Sequence, residues 1–330
     1  MIQPIRRFLL SISCCASIAG AAASVAVAQT PTPAPASAKP PQASAGPSTD
    51  PLPLVAEGRK LVADGKVDEG LAGIDRALAI DPTLYEGHLA KGIGLDIKGD
   101  YAAARKHLEQ ALTLADEEDK DPAITALAVS YVFAGDVKNA ARQYQKLFDR
   151  YVAAARLDTA VETANALGRV YLEMGDVGKA EEWYQTGRET FKKLSGLPGD
   201  QVDLGWMRWH HAASRIAARR RNPRQAEREA LVVKELIAKS TQNQTQQPIY
   251  EYLIGYNAFY AGDYDAAIAA LLRADQRDAF INGLLAQAYD KKGDRVNART
   301  HYAKALESSS HNLQNALTRA IAKKRLAAMK

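Results

Sequence analysis

Residues 92–104 read GIGLDIKGDYAAA, and the same succession of residue types returns several times along the chain. A stretch with helical spacing of apolar residues is followed by Gly, commonly by Asp, and then by a small residue five positions after the Gly. Gly takes the left-handed conformation that ends a helix, Asp caps the free amides of the next helix, and a small side chain lets two helices approach closely. Each copy therefore predicts two helices joined by a tight turn.

Six copies share this succession, and each recurring residue has a predicted structural role. The predicted turn residues are Gly65, Gly99, Gly135, Gly175, Gly262 and Gly293. The small residues that we expect between paired helices are Ala104, Ala140, Ala180, Ala267 and Ala298. A single helix pair of this size leaves an apolar face uncovered, but a stack of pairs buries it. The chain is therefore predicted to be all-α, with binding rather than catalysis as its default activity.

The spacing of the turn glycines predicts where the repeats are regular. The first interval is 34 residues, whereas the next two are 36 and 40 residues, which predicts insertions in those connections. The interval from Gly175 to Gly262 is 87 residues, which leaves room for a degenerate fifth repeat near 203–240, with its turn at 221–223. The remaining expectations are loops at 195–201 and 240–248 and a shortened second helix around 273–277.

Four copies carry the closest likeness to a known family, and they begin at Gly92, Leu167, Ile254 and Leu285. These residues resemble the tetratricopeptide repeat family, and the resemblance covers most of residues 52–310. It implies a right-handed α-solenoid of about seven helix-turn-helix repeats, which we place at residues 54–311. Such a solenoid buries its core between successive repeats rather than around one centre.

Residues 312–330 combine apolar residues at helical spacing with basic residues that include Arg319 and Lys323. This pattern predicts a basic capping helix that covers the last repeat and exposes a solvated face. The alternative is a helix that lies on a membrane surface.

The N-terminal segment has the features of an export signal. Arg6 and Arg7 precede an apolar run that closes with small residues at Ala26 and Ala28, which predicts a signal peptide at 1–28 cleaved after Ala28. An uncleaved membrane anchor is the alternative. Residues 29–53 are rich in Pro, Ala, Ser and Thr and are predicted to form a disordered tether.

The cysteines, the net charge and the histidines limit the kinds of binding and catalytic site that we expect. Both cysteines, Cys14 and Cys15, lie in the predicted signal, so the mature chain is expected to have no disulfide, thiolate or cysteine metal site. Export without disulfides favours the periplasm of a Gram-negative bacterium. The formal net charge of +5 is too small to imply a nucleic-acid partner. His210 and His211 are adjacent and diverge on a helix, so we expect no metal and no cofactor.

The resemblance also implies a binding surface, because members of the family hold an extended peptide or a partner's helix on the concave side lined by the first helix of each repeat. Projection from the turn glycines predicts that one set of residues lines this groove: Asn165, Arg169, His211, Arg215, Arg219, Tyr252, Tyr256, Phe259 and Gln287. Arginines beside aromatic rings suit a segment with carboxylates or aromatic side chains. The alternative is that these aromatics belong to the core and the arginines to a solvated face.

These features together predict a non-enzymatic adaptor that binds a partner protein or peptide, with envelope assembly or secretion as its process. An accessory protein that associates with cell-wall glycan or anionic lipid is the alternative. An enzyme is not expected, since no phosphate-binding Gly loop and no nucleophile elbow occur in the sequence. The identity of the partner and the oligomeric state stay open at this stage.

Overall fold

The computed structural model describes residues 50–240 and 243–329, so the predicted signal at 1–28 and residues 29–49 of the predicted tether lie outside the described residues. Within the described part, the chain forms fifteen α-helices and no strand, and it folds as an α-solenoid. The helices are α1 (Leu52–Ala63), α2 (Val67–Ile80), α3 (Tyr85–Lys98), α4 (Tyr101–Leu114), α5 (Lys120–Phe133), α6 (Val137–Ala153), α7 (Leu157–Glu173), α8 (Val177–Phe191), α9 (Gly199–Arg219), α10 (Pro223–Lys239), α11 (Asn243–Ala261), α12 (Tyr264–Leu271), α13 (Ala279–Lys291), α14 (Arg295–Leu306) and α15 (Leu313–Ala328).

The first fourteen of these helices form seven pairs, α1–α2 through α13–α14, and the second helix of each pair packs against the first helix of the next pair. This arrangement confirms the predicted number of repeats. The helix α15 follows as a single additional helix.

The turn between paired helices follows from the Gly-Asp succession. Gly99 has a φ of 105°, and its N–H donates to the carbonyl of Leu95 at 2.8 Å, which closes the last turn of α3. The carboxylate of Asp100 then accepts from the N–H of Ala103 at 3.2 Å and caps α4. The same positive φ occurs at the other turn glycines, which are Gly65, Gly135, Gly175, Gly262 and Gly293.

The small residue after each turn lies where the two helices of a pair are closest. Its side chain is fully buried in five repeats, at Ala104, Ala140, Ala180, Ala267 and Ala298. In the first repeat the position is Gly70, and a Cβ built on it would lie 2.6 Å from the carbonyl oxygen of Gly58 on the facing helix. The separation of paired helices is therefore limited by backbone contact in that repeat.

The fifth repeat keeps the turn without its glycine. Arg221 takes the left-handed conformation with a φ of 56°, and Asn222 caps α10 by accepting from the N–H of Gln225 at 3.2 Å. Asn is among the residues that favour this capping position, so the loss of the Gly-Asp pair is tolerated. Ala226 occupies the buried small position.

Three expectations about connections need correction. The loop predicted at 195–201 ends earlier, because α9 begins at Gly199 after Pro198. The loop predicted at 240–248 is also shorter, because α11 begins at Asn243 and contains Pro248, at the cost of one backbone hydrogen bond. The 40-residue interval that ends at Gly175 does not hold a long connection, since α6 and α7 are each 17 residues long and are joined by Ala154–Arg156.

The second helix of the sixth repeat, α12, has 8 residues, as the short glycine interval predicts. The last helix, α15, packs against α13 and α14 and so covers the final repeat, but it also packs against α5 and α7. The solenoid therefore curls until its C-terminal helix reaches the third and fourth repeats, which the sequence pattern does not predict. Of the helices in the described ranges, none combines the length and hydropathy that a bilayer span requires.

The contact between Gly70 and Gly58 generates a stability prediction. Gly70→Ala is expected to lower the free energy of unfolding by about 1–3 kcal/mol, because the new methyl group meets the backbone oxygen of Gly58 and the β-branched side chain of Val62. Gly178→Ala on α8 is the matched control, since the nearest atom to its new Cβ would be 3.7 Å away. The control is expected to raise the free energy of unfolding by up to about 1 kcal/mol, because Ala has a higher helix propensity than Gly. Urea unfolding followed by circular dichroism measures both, and equal behaviour of the two variants would contradict the contact.

Candidate functional site

Two charged pairs face each other inside the fourth and fifth repeats. Arg169 and Glu173 are four residues apart on α7, and Arg215 and Arg219 are four apart on α9, so each pair lies on one face of its helix. Glu173 Oε1 lies 3.8 Å from Arg215 Nη1, and Glu173 Oε2 lies 3.4 Å from Arg219 Nη1. The side chain of Glu173 is only 7% exposed. One buried carboxylate therefore bridges two arginines.

Tyrosines from neighbouring repeats complete this arrangement. Tyr184 accepts a hydrogen bond from Arg215 Nη2 at 2.9 Å, and Tyr256 donates to the Glu173 carboxylate at 3.3 Å. The Arg219 guanidinium lies 4.8 Å from the centre of the Tyr260 ring. Burial raises the pKa of Tyr256 well above its usual value and the pKa of Tyr260 to about 12, so both phenols stay protonated at neutral pH.

The seventh repeat closes the same region. The Arg169 guanidinium lies 4.7 Å from the centre of the Phe280 ring on α13, and the His211 ring lies 5.5 Å from the ring of Tyr252. Burial, and then the positive charges of Arg215 and Arg169, lower the pKa of His211 well below its usual value, so its imidazole is neutral at pH 7. We refer to Arg169, Arg215, Arg219, Glu173 and the aromatic rings around them as the arginine cluster.

The structure brings six of the nine predicted groove residues together in or beside this cluster, which are Arg169, His211, Arg215, Arg219, Tyr252 and Tyr256. The expectation that they line an open groove is wrong for three of them, because Tyr256 is 0% exposed, Arg215 4% and Tyr252 7%. The physical reason is the tight curl of the stack, which lets side chains of α7 reach α11 and α13.

The other three predicted groove residues contact groups other than the arginines and Glu173 of the cluster. Asn165 faces Gly187 of the partner helix α8, where an added Cβ would meet its Oδ1 at 3.0 Å. Phe259 is half-buried against Tyr260 and Tyr264, and Gln287 donates to the carbonyl of Gly283 on its own helix. The side chains of Asn165 and Phe259 thus pack against the second helix of their own pair, whereas Gln287 bonds within its own helix.

A second feature of the concave side is the seat of α15, by which we mean the ends of α3 and α5 together with the facing side of α13. His311 Nε2 lies 2.8 Å from Asp96 Oδ2. Arg319 donates to the carbonyl of Ile97 at 2.8 Å, and Lys323 donates to the carbonyl of Lys98 at 3.2 Å. The last carbonyls of a helix lack partners within the helix and carry partial negative charge, so two cations stabilise the C-terminal end of α3.

The apolar part of this seat is closely packed. Ala316, Leu317 and Ala322 of α15 are buried. Thr318 fits against Gly283 of α13, where an added Cβ would lie 2.3 Å from Thr318 Cγ2. The concave side thus holds a helix with small residues and basic side chains, and that helix belongs to the same chain.

The residues around Asp96 do not form a nucleophile site. Ser130 Oγ donates to Asp96 Oδ1 at 2.9 Å, while His311 contacts the other carboxylate oxygen. In a catalytic triad the imidazole lies between the hydroxyl and the carboxylate, whereas here the carboxylate lies in the middle. Across the part of the chain that the structure describes, no group of three or more His, Cys, Asp or Glu side chains is placed to hold a metal ion.

Sequence reasoning missed Glu173, Tyr184 and Phe280, as well as the whole seat of α15. Glu173 had a usable signal, since it lies four residues after Arg169 on a helix that presents the same face. Phe280 had none, because its contact with Arg169 depends on the curl accumulated over three repeats.

Comparisons with known proteins agree with this architecture. The tetratricopeptide repeat family model matches residues 161–187, in the fourth helix pair, and residues 281–312, which span most of the seventh pair and the segment after it. A search of the curated proteins finds no match. The family is therefore supported by two of the seven repeats.

Similarity to solved structures supports the fold. A tetratricopeptide repeat protein from Parabacteroides merdae is 15% identical, with a TM-score of 0.53, and the alignment covers 86% of this chain and 99% of that one. The pilF protein of Pseudomonas aeruginosa is 12% identical, with a TM-score of 0.44 and coverage of 77% and 97%. The first similarity establishes the tetratricopeptide-type solenoid for the described helices, and neither similarity establishes an activity.

The buried bridge predicts unequal effects for two acidic residues. Glu173→Gln is expected to lower the free energy of unfolding by about 2–4 kcal/mol, because it leaves two buried guanidinium groups without their bridging carboxylate. Glu181→Gln removes the partner of Arg220 in an ion pair whose side chains are 42% and 47% exposed, and it is expected to cost less than about 1 kcal/mol. Chemical denaturation of both variants checks the difference, and similar losses would count against a buried bridge.

Proposed function

We propose that this protein is a non-enzymatic adaptor that binds partner proteins or peptides on the concave side of its repeat stack. Tetratricopeptide repeats generally mediate contacts between proteins, which supports the general activity. The observation that carries the proposal is the seat of α15, where groups of α3, α5 and α13 contact α15 and His311 just before it. A surface that already accommodates one helix is suited to a partner of similar shape.

The chemistry of α15 indicates the kind of partner. A suitable partner helix carries basic side chains that reach the carbonyls of Ile97 and Lys98, and small residues that pack against Gly283. Such a helix takes the place of α15, which is joined to α14 by the short segment 307–312. The partner and α15 therefore compete for one seat.

We further propose that the protein acts in the periplasm of a Gram-negative bacterium, in envelope assembly or secretion. This part rests on the sequence of residues 1–28, where a basic start, an apolar run and small residues at Ala26 and Ala28 fit a cleaved export signal.

The alternative of association with anionic lipid or cell-wall glycan has less support. It needs the apolar side of α15 to be free for a membrane surface, but Ala316, Leu317 and Ala322 face the solenoid. Arg319 is also directed inward, to the carbonyl of Ile97. The basic character of this helix is therefore used within the chain.

Removal of α15 tests the binding surface directly. A chain that ends at Glu307 is expected to bind a synthetic peptide of residues 308–329, while the intact chain does not, because α15 occupies the seat. A peptide with Arg319→Glu and Lys323→Glu is expected to bind at least about tenfold more weakly, since it loses two charge-assisted hydrogen bonds. Fluorescence anisotropy measures the affinities, and circular dichroism verifies that the shortened chain is folded.

Capture of the partner in cells completes this test. A photoreactive residue replaces Phe133, whose ring lies 5.4 Å from the ring of His311, and the control position is the highly exposed Val296 on α14. In the shortened chain, position 133 is expected to crosslink a protein that the peptide of residues 308–329 displaces. If the full-length chain with Arg319→Glu and Lys323→Glu and the folded shortened chain both give equal capture at the two positions, the proposal fails.

The proposed export is tested by intact mass. Protein recovered from the periplasm is expected to lack residues 1–28 and to begin at Gln29. A full-length mass in the membrane fraction would instead support the anchor.

A further inference from the structure

The arginine cluster holds more positive charge than its acidic residues balance. Three guanidinium groups, those of Arg169, Arg215 and Arg219, face two carboxyl groups, those of Glu173 and Asp278. Burial raises the pKa of Asp278, whose carboxylate already accepts from the N–H of Phe280 at 2.7 Å. At least one positive charge is therefore left without a counter-charge in a region from which water is largely excluded.

The same region contains polar atoms with no hydrogen-bond partner among the described residues. Five buried nitrogen or oxygen atoms share this property: Arg169 Nε, Arg215 Nε, Arg215 Nη1, His211 Nε2 and Tyr252 OH. Arg215 and Tyr252 are each more than nine-tenths buried. Buried donors without acceptors are rare in folded proteins, because each costs the free energy of its lost hydration.

These atoms belong to side chains that approach one another. Tyr252 contacts the rings of His211 and Phe280, and Phe280 carries Arg169 on its face. Arg215 lies 5.7 Å from the centre of the Tyr184 ring and shares Glu173 with Arg219. Guanidinium and phenol groups supply N–H and O–H donors, and guanidinium has no acceptor atom. The group that would satisfy both the donors and the charge is an acceptor with negative charge.

We propose that the arginine cluster is a binding site for a small oxyanion, a phosphate or carboxylate group held by Arg215, Arg169 and Tyr252. The flat guanidinium groups match the oxygen pairs of such anions and bind them more strongly than neutral acceptors. Arg219, with 14% of its side chain exposed, and the half-buried Tyr260 lie on the accessible edge of the cluster. The site does not depend on displacement of α15, so it stands independently of the proposed function.

The anion has two possible sources, a free ion or the carboxylate of a bound peptide, and ligand-dependent thermal stability distinguishes them. The full chain is titrated with inorganic phosphate, with acetate and with an acetylated tripeptide that ends in Glu, each against sodium chloride at equal ionic strength. Saturation by phosphate or acetate identifies a free ion, and saturation by the tripeptide alone identifies a peptide carboxylate. Either result supports the site, because chloride is expected to give no saturable change.

Single substitutions test whether the anion binds at the arginine cluster. Arg215→Gln is expected to weaken binding at least about tenfold, as expected for loss of hydrogen bonds to a charged group. Arg220→Gln is the matched control, since Arg220 lies one residue beyond Arg219 on the outside of the stack and pairs with Glu181. It is expected to leave the affinity unchanged. Tyr252→Phe keeps the ring and removes one donor, so it tests the site even where Arg215→Gln does not fold, with an expected loss of about fivefold.

Isothermal titration calorimetry of the same variants gives the stoichiometry, which is expected to be one anion per chain. Three results would overturn the proposal. They are the absence of saturation with all three probes, a response to chloride equal to the response to phosphate, and full affinity in Tyr252→Phe.

Discussion

Each helix pair of this protein leaves an apolar face that only the next pair can cover, and the rest of the structure depends on this shared burial. The distance between paired helices is set by buried small residues such as Ala104 and Ala180, or by the backbone contact of Gly70 with Gly58 in the first repeat. The curl of the stack accumulates from a small rotation between successive pairs. The curl brings α7 to α13 and α15 to α5, so the concave side becomes an interior.

That interior explains why charged residues are buried at positions where an open solenoid would expose them. Arg215 and Glu173 lie on first helices, which would face solvent in a wider curve. Here Arg215 is 4% exposed, and Glu173 accepts a hydrogen bond from Tyr256 of the sixth repeat. A buried ion pair contributes little net stability, whereas a broken one is costly. Opening the curve would separate Glu173 from Arg215 and Arg219, so the cluster opposes a wider curvature.

The local features of this fold were accessible to sequence reasoning because they depend on a few neighbouring residues. A Gly-Asp turn and a small residue five positions later are sufficient to place most helix ends, and even the degenerate turn at Arg221-Asn222 followed from spacing. The candidate site could be predicted from the sequence only in part. Helical projection grouped Arg169, Arg215, Tyr252 and Tyr256, which the structure also brings into one cluster, but their burial depends on the sum of small rotations over several repeats. No single residue carries that information.

The two features of the concave side differ in how they are closed. The arginine cluster is closed by contacts among the fourth to seventh repeats, so opening it requires a change in curvature of the whole stack. The seat of α15 is closed by one helix, which the short connection 307–312 joins to α14. A tethered helix acts as a ligand at an effective concentration in the millimolar range. If a partner helix competes for this seat as proposed, it must bind more strongly than α15 or be present in excess, so α15 would exclude weak partners.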